Sequence, residues 1–576
     1  MTTQHCCETL SNNDPNRPVA MRQTTICVPL EVKPESCSRL SALIDRLKCE
    51  LDQAGDPYVP NFVKLHERVP VLHFMSFSIF TSENYDEIFI IEANFDGEAG
   101  PFWGQLEAVI GERLRAMVRC CKRPLDGSGD LYDAVTHSAA SRPVAAYFEA
   151  RTQAPSVFFH GNRGLSRDCI LQDHALFLSL RDEIDDLSRS GPNPYRQVSC
   201  AEAHRRLRLK MDLRFPWLDE PAPKRISTME SVMDYIRLIR FLVVTLLVLS
   251  LPGVMIAPLV PWQLYLIIVA AGASGVVTLL YTNRKAIAGT EVVNRVGVSL
   301  FGPRRLLLLL SGIAVYVMLA VLVLSPVVFM VHGLRVVAGA MNLGYEAQLW
   351  PAFFDAARAV LLGLLSVVLT LPLLFLLIRY NEMRDSSQDA PPVSERAVRE
   401  IVRREDWIAQ NHMGSIVLIK PGALIAAIIR AGHYGLGLLL RVDRRARQGY
   451  LGSMRTVHFA HWAFLNNGSR LLFFSNFDHS WGSYLDDFIE KAHIGLTLAW
   501  GCGVGFPPTR MLIYDGASHG RQFKNWALAS RAISRFWYSA YRDLTVDQIE
   551  RNHRIANGLR KRTVSEEEAR AWLAEL

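Results

Sequence analysis

The feature that most constrains the fold is an internal duplication of the chain. Four short motifs recur in the same order over the 576 residues. The offset between the copies falls only from 387 to 379, so a few loop deletions reconcile them. The matched segments are residues 32–34 with 419–421, His73-Phe74 with His458-Phe459, residues 94–96 with 476–478, and residues 163–170 with 542–549. Two copies of this length indicate a gene duplication around an insert.

Each copy contains the same order of predicted elements. In the first copy, residues 26–32 alternate as a strand, and residues 71–80 and 87–95 are predicted as two strands joined by a polar hairpin connection. Residues 40–51 and 102–118 have helical periodicity. Either residues 144–148 or residues 156–159 close the copy as a last strand. The second copy is predicted to have strands at residues 415–419, 456–465, 470–477, 510–514 and 536–541, and helices at 424–440, from Trp481, and around 523–529.

The order β-α-β-β-α-β is the ferredoxin-like unit, which leaves one apolar sheet face uncovered. We therefore expect an α+β fold in which two ferredoxin-like halves form an intrachain dimeric α/β barrel, with an inserted four-helix transmembrane block. The predicted organisation is a disordered N-terminus (1–20), half 1 (21–220), the transmembrane block (235–379), a linker (385–398) and half 2 (405–576).

The insert explains a mean hydropathy of +0.12, which is high for a soluble protein. Residues 264–281, 306–331 and 356–378 are apolar runs of about the length that crosses a bilayer. Residues 241–259 form a fourth run, interrupted at Pro252 and Gly253, which either spans the bilayer or re-enters it as a hairpin with the next run. A fifth span at residues 424–440 is disfavoured because Arg430 and His433 interrupt it and it aligns with a soluble helix of the first copy.

Lysine and arginine in the loops predict the orientation. Basic residues precede the first span, separate the second from the third and follow the fourth, whereas the loop between the third and fourth carries only Arg335. The positive-inside rule therefore predicts a multi-pass inner-membrane protein with both termini in the cytoplasm. With an even number of spans, both halves also lie on the same side of the membrane. No span has a central acidic residue, so an anchor is favoured over a transporter.

The remaining composition predicts few other partners. Nine of the ten cysteines precede Ala201, in the predicted cytosolic half, and no Cys/His spacing suits zinc, so no metal site is predicted. Nucleotide-binding, zinc-protease and serine-hydrolase motifs are absent from the sequence. The basic clusters at residues 205–210 and 441–447 suit anionic lipid headgroups better than nucleic acid, so the predicted partner is the lipid bilayer.

The residues shared by the two copies are the candidate site. Asp96 and Asp478 stand at the end of a strand just before a helix, where an aspartate caps the helix or serves as an acid/base. Ser166 and Thr545 each precede an acidic residue by two positions, as helix N-caps do.

Two strand histidines are the other candidates. His73 and His458 could bind a cofactor or transfer protons, although a hydrogen-bonded structural histidine is the commoner role. By strand alternation His461 lies on the opposite face from His458 unless a bulge intervenes. The many aromatic residues of the second copy form either a core or a cavity for a small apolar ligand.

The segments 457–460, 473–478, 484–489 and 537–541 resemble an uncharacterised family of bacterial proteins built on the dimeric α/β barrel. The broader superfamily includes the dye-decolourising peroxidases and chlorite dismutases, which bind haem. Residues 93–97 are similar to the G-x-x-D-G signature of the peroxidases, with Ala93 in place of the first glycine. The resemblance implies haem as the candidate cofactor of a peroxidase-like oxidoreductase, with His73 or His458 near it. The alternative is a non-catalytic, membrane-anchored binding or scaffold protein for a lipid or apolar small molecule.

Overall fold

The computed structural model is an α+β protein with antiparallel sheets. It describes residues 22–282, 358–385 and 408–576, each with short gaps, and a few residues between 395 and 403. The predicted disordered N-terminus, the third span at residues 306–331 and nearly all of the predicted linker lie outside the described residues.

The first half starts with three long strands and two sheet-covering helices. Their order is β1 (Gln23–Glu31), α1 (Cys37–Leu51), α2 (Val63–Arg68), β2 (Leu72–Phe80), β3 (Ile88–Asp96) and α3 (Ala99–Arg119). There follow α4 (Gly129–Thr136), α5 (Ala145–Arg151), β4 (Val157–His160), α6 (Arg167–Ile184) and α7 (Cys200–Asp212). Leu40, Ile44 and Leu47 are buried on one face of α1, as helical periodicity predicts.

The apolar helices follow, and then the second half. They are α8 (Thr228–Ile256), α9 (Trp262–Thr282) and α10 (Val367–Met383). The second half contains β5 (Gln410–Leu418), α11 (Ala423–Val442), α12 (Arg444–Arg447), β6 (Val457–Leu465), β7 (Arg470–Asp478), α13 (Trp481–Lys491), α14 (His493–Trp500), β8 (Thr509–Arg510), β9 (Tyr514–Asp515), α15 (Gly520–Ser530), β10 (Arg531–Ala532), β11 (Phe536–Ser539), α16 (Val546–Arg560) and α17 (Glu566–Leu573).

Two larger sheets contain strands from both halves. One has the order β1-β3-β2-β11 and the other has the order β10-β5-β7-β6-β4. The short strand β11 pairs antiparallel with β2, so that Phe536 lies opposite Phe77. Correspondingly, β4 pairs with β6, with Val157 opposite Trp462. The last strand of each half therefore lies in the sheet of the other half.

The sequence leaves two alternatives for the last strand of the first half, and the second is correct. Residues 156–159 overlap β4, whereas residues 144–148 begin the helix α5. The predicted strand at residues 510–514 is wrong. It is replaced by the short strands β8 and β9 because Met511 and Leu512 adopt left-handed backbone angles between them.

The two sheets face each other across an interior of aromatic side chains. Phe74 of β2 contacts Phe459 of β6, with ring centroids 5.5 Å apart, and Phe80 contacts Phe474 at 6.0 Å. On the outer face of each sheet a strand ring stacks on a helix ring. Phe95 stacks on Phe102 at 4.1 Å, and Phe477 stacks on Tyr484 at 4.0 Å. Face-to-face burial of this kind covers the apolar surface that one sheet alone would expose.

Two helices among the described residues are long and apolar enough to cross a membrane, α8 and α11. The apolar helix α9 overlaps the predicted second span, and α10 overlaps the predicted fourth span. Pro252 lies inside α8, near its end. The helix α11, which the sequence disfavours as a span, packs beside α8 and buries His433 against the backbone oxygen of Ala499.

Candidate functional site

The four predicted site residues form two His–Asp pairs at corresponding positions, and the His458–Asp478 pair has hydrogen-bond geometry whereas the His73–Asp96 pair does not. His73 Nε2 lies 3.0 Å from Asp96 Oδ1, and His458 Nε2 lies 2.8 Å from Asp478 Oδ1. Each histidine occupies an irregularity in its strand, where the pairing register shifts between β2 and β3 and between β6 and β7. A β-bulge at a histidine redirects its side chain, which places the imidazole beside the aspartate at the end of the neighbouring strand.

The second carboxylate oxygen of each aspartate accepts a hydrogen bond from the first turn of a helix. Asp96 Oδ2 accepts from the backbone N–H of Arg167 at 2.7 Å, and Asp478 Oδ2 accepts from that of Val546 at 2.9 Å. The aspartates therefore bind the N-termini of α6 and α16. An anionic acceptor is favoured at a helix N-terminus because the first N–H groups have no partner within the helix.

The two aspartates bind helix N-termini as predicted, but these are not the helices that directly follow them in the chain. The next helices along the chain, α3 and α13, have Glu98 and Ser480 at their N-cap positions. The helices that the aspartates do bind, α6 and α16, begin more than 60 residues later in the chain. Their N-termini lie at the ends of β3 and β7. The predicted N-caps Ser166 and Thr545 are confirmed, since their side chains accept from the backbone N–H groups of Cys169 and Gln548.

The second ring nitrogens of the two histidines have different surroundings. His73 Nδ1 lies 2.8 Å from the Tyr541 hydroxyl, and burial raises the pKa of that tyrosine well above its usual range. His458 Nδ1 is buried and has no hydrogen-bond partner among the described residues. His458 also contacts Phe74 of the opposite sheet, so the bulge brings His458 and His461 to the same inter-sheet interior. This bulge is the exception under which strand alternation allows both histidines on one face.

The residues present do not fit a haem in this conformation. His73 Nε2 and His458 Nε2 face carboxylates, and His458 Nδ1, which has no partner among the described residues, belongs to a ring that packs against Phe74 and Tyr541. The rings of Phe74, Phe459 and Tyr541 lie between 5.4 and 6.1 Å from the imidazoles, which fills the space beside them. An iron ligand needs a free nitrogen lone pair and an open coordination face. The pairs therefore act as structural links between strands and helices.

The interior also contains a buried acidic cluster around Glu92, which the repeat-based reasoning misses. The Glu92 carboxylate accepts hydrogen bonds from Ser76 at 2.9 Å and Asn94 at 2.9 Å, and its Oε2 lies 2.9 Å from His412 Nε2 of the opposite sheet. The side chain is 1% exposed. An equivalent residue is absent in the second copy, where the strand register places Phe474 at this position. The available signal is a single carboxylate in the apolar run of β3.

Electrostatics keep Glu92 ionised. Burial raises its pKa, but the hydrogen bond and charge of His412, with smaller contributions from His461 and Asn94, outweigh burial and lower the pKa to about 2. Burial lowers the pKa of His461 to about 4, against the opposing charge of Glu92. Neither ring nitrogen of His461 has a hydrogen-bond partner in the described part of the chain. At neutral pH the Glu92 carboxylate is therefore anionic and the His461 imidazole is uncharged.

The Glu92 pKa predicts acid sensitivity. The folded-state pKa is below the unperturbed 4.5, so Glu92 contributes stability above about pH 4.5 that is lost as the pH falls towards 2. This contribution is on the order of 3 kcal/mol. We expect Glu92→Gln to flatten the fall of melting temperature between neutral pH and pH 3, whereas the mainly exposed Glu112→Gln should not. Equal slopes for Glu92→Gln and the wild type would contradict this assignment.

Comparison of the chain with protein-family models, with curated proteins and with solved structures finds no match in any of the three.

Proposed function

We propose that this chain is a multi-pass inner-membrane protein with both termini in the cytoplasm, and that it is a non-catalytic, membrane-anchored binding or scaffold protein for a lipid or apolar small molecule. Its soluble part consists of two ferredoxin-like halves that form an intrachain dimeric α/β barrel. The inserted block of four transmembrane helices holds this barrel at the bilayer surface.

The matched topology supports the two-half organisation. Strands β1-β3-β2 and β5-β7-β6 have the same order, and each triplet is extended by the last strand of the other half. The backbone N–H of Ala540 donates to the His73 oxygen at 2.9 Å, and that of Gly161 donates to the His458 oxygen at 2.8 Å. Such paired contacts are those expected of two copies related by approximate twofold symmetry.

The observation that carries the anchoring is a buried aspartate on α8. Asp234 is fully buried and lies 3.1 Å from Arg163 of the first half, 3.5 Å from Arg441 of the second half and 3.2 Å from Arg237 of its own helix. A buried carboxylate requires such cationic partners. Because the partners come from both halves, the apolar helix is attached to the whole soluble body.

A second attachment supports the same role. At the end of α10, Glu382 accepts hydrogen bonds from the Thr509 hydroxyl at 2.9 Å and from the backbone N–H groups of Met511 and Leu512 at 3.0 and 2.8 Å. The Arg379 guanidinium donates to the Thr509 oxygen at 3.0 Å. The irregular segment between β8 and β9 is thereby fixed to a helix of the proposed membrane block.

The outer surface of α11, unlike that of the equivalent helix α1, supports contact with lipid. The exposed residues of α1 include Arg39, Asp45 and Glu50, whereas those of α11 include Leu424 and Tyr434, with Arg430 as the one charged residue among them. The apolar surface of α11 adjoins α8, where Phe241 contacts Tyr434 at 5.5 Å. A contiguous exposed apolar surface is typical of a membrane or partner contact.

One feature favours the alternative, a haem-dependent peroxidase-like oxidoreductase with Asp96 or Asp478 as acid/base. His458 Nδ1 is a buried ring nitrogen with no partner in the described ranges. Its Nε2 binds Asp478, as the second nitrogen of a metal-bound histidine often binds a carboxylate. The aromatic packing around the ring would have to open for this function.

Absorbance spectroscopy on protein expressed with supplemented haem tests the proposal. We expect a fully folded protein without a Soret band that stays in the membrane fraction after alkaline carbonate extraction. A Soret band that is lost in His458→Ala would support the peroxidase alternative instead. Release of the protein by carbonate would contradict membrane anchoring.

A further inference from the structure

The helices α6 and α16 bring together a thiol, a carboxylate and an imidazole outside the inter-sheet interior. Asp173 Oδ2 lies 3.5 Å from Cys169 Sγ and 2.8 Å from His553 Nδ1. Cys169 Sγ lies 4.0 Å from His553 Nδ1. All three potential ligand atoms therefore lie within 4.8 Å of one another. Asp173 and His553 are buried, and Cys169 is half-buried.

We propose that Cys169, Asp173 and His553 bind a divalent transition metal, with zinc the best-suited ion. Thiolate sulfur, imidazole nitrogen and carboxylate oxygen are the three protein ligand types of zinc, and three protein ligands leave one position for water. In a tetrahedral zinc site, ligand atoms lie roughly 3.3–3.7 Å apart, given the usual metal–ligand distances. Small side-chain rotations bring the three present distances into that range.

Without metal, one carboxylate oxygen accepts two hydrogen bonds. The Cys169 thiol and the His553 ring both contact Asp173 Oδ2. As the donor to Asp173 Oδ2, the Cys169 thiol carries its proton. A divalent ion at the centre of the three atoms replaces both contacts and releases the thiol proton. Thiolate and carboxylate together neutralise the charge of the ion.

A neighbouring amide is suited to the imidazole tautomer that metal binding requires. With a metal on Nδ1, His553 carries its proton on Nε2, which then needs an acceptor. Asn557 Nδ2 lies 3.0 Å from Nε2, and Asn557 Oδ1 is buried without a hydrogen-bond partner in the described residues. Rotating this amide by half a turn places Oδ1 against Nε2–H. The same rotation relieves the unpartnered oxygen.

The internal duplication supplies a matched control. At the offset of 379, His553 corresponds to His174, Asp173 to Asn552, and Cys169 to Gln548. Asn552 Nδ2 lies 3.3 Å from His174 Nδ1, so the corresponding residues also connect α6 with α16. They lack the thiol and the carboxylate, two of the three proposed ligands. The contact that both sets of residues share is structural, whereas the thiol and the carboxylate occur only in the set that contains Cys169 and Asp173.

Two cations face the cluster. They are the guanidinium groups of Arg560 and Arg225. Arg225 is occupied by Glu550 at 2.6 Å, and Arg560 donates to the Trp217 oxygen at 2.8 Å. Both guanidinium groups therefore have other partners to hold them when an ion binds.

Cobalt titration of the full-length protein in detergent, after chelator treatment, tests the site. We expect one equivalent of Co²⁺ to produce a thiolate-to-cobalt charge-transfer band, and equimolar Zn²⁺ to abolish it. Cys169→Ser should remove the band. Asp173→Asn should weaken cobalt binding at least about 10–100-fold, because even changes outside the ligand set have effects of that size. Asp173→Asn should fold, since Asn552 makes the same contact in the other copy.

The matched variant His174→Gln should leave the cobalt band unchanged, because its copy lacks the thiol and carboxylate. Zinc should raise the melting temperature of the wild type and of His174→Gln, and not that of Cys169→Ser. Absence of a charge-transfer band in folded wild-type protein would overturn the proposal. So would a band of equal intensity in Cys169→Ser.

Discussion

Replacing Asp478 with alanine should destabilise the two-sheet fold by about 3–5 kcal/mol. The carboxylate accepts hydrogen bonds from His458 at 2.8 Å and from the backbone N–H of Val546 at 2.9 Å. Because Asp478 and His458 are each 1% exposed, water cannot replace either bond without opening the core. Thermal unfolding in detergent, followed by circular dichroism, measures the loss.

Asp478→Asn separates the structural role from an acid/base role. The amide oxygen can still accept from Val546 while the contact with His458 changes, so the expected loss of stability is smaller than for alanine. Asp96→Ala should have a smaller effect than Asp478→Ala, since Asp96 Oδ2 accepts from the Arg167 backbone N–H while Asp96 Oδ1 and His73 Nε2 lie close together without a hydrogen bond. The fully exposed Asp130→Ala is the control and should change stability by less than about 0.5 kcal/mol. An Asp478→Ala protein as stable as the wild type would contradict the structural assignment.

Replacing Asp234 with alanine should detach α8 from the two halves, to which it is bound through Arg163 and Arg441. Three guanidinium groups lie within 3.5 Å of this fully buried carboxylate, and its removal leaves them without their shared counter-ion. Breaking a buried ion pair costs about 3–5 kcal/mol, and the partial exposure of Arg237 and Arg441 reduces that figure to about 2–3 kcal/mol. Limited proteolysis near the start of α8 should become faster, and the melting temperature should fall.

Glu230→Gln is the matched control for Asp234→Ala. Glu230 lies 2.5 Å from the same Arg163 but is 45% exposed. Exposed ion pairs contribute about 0–1 kcal/mol, so this variant should resemble the wild type in both measurements. Equal effects of the two variants would mean that the buried position of Asp234 has no special role in anchoring.

Local patterns in the sequence predict much of the fold. Apolar runs at residues 71–80 and 87–95, separated by a polar connection, predict β2 and β3 to within one residue at each end, because both strands are buried over almost their whole length. Helical periodicity predicts α1 and α3, and the capping pattern predicts the starts of α6 and α16. Strand exchange is not predictable in this way, since alternation identifies β4 and β11 as strands without indicating which edge they join.

The candidate site is less predictable because its contacts are distant in sequence. Repetition identifies the two His–Asp pairs, but the helices that the aspartates bind begin at least 68 residues away. Glu92 is missed because Phe474 replaces it in the second copy. Cys169 and His553 lie 384 residues apart and meet only because α6 packs on α16. Each of these depends on tertiary packing, which periodicity does not encode.

Cleavage between the halves tests most directly whether they form one body through exchanged strands. A protease site is inserted within residues 386–394, and an affinity tag is placed at the N-terminus. After cleavage in detergent and a high-salt wash, which screens exposed ion pairs, we predict that the second half elutes with the tagged first half. Recovery of a folded second half in the unbound fraction would contradict the exchange of β4 and β11.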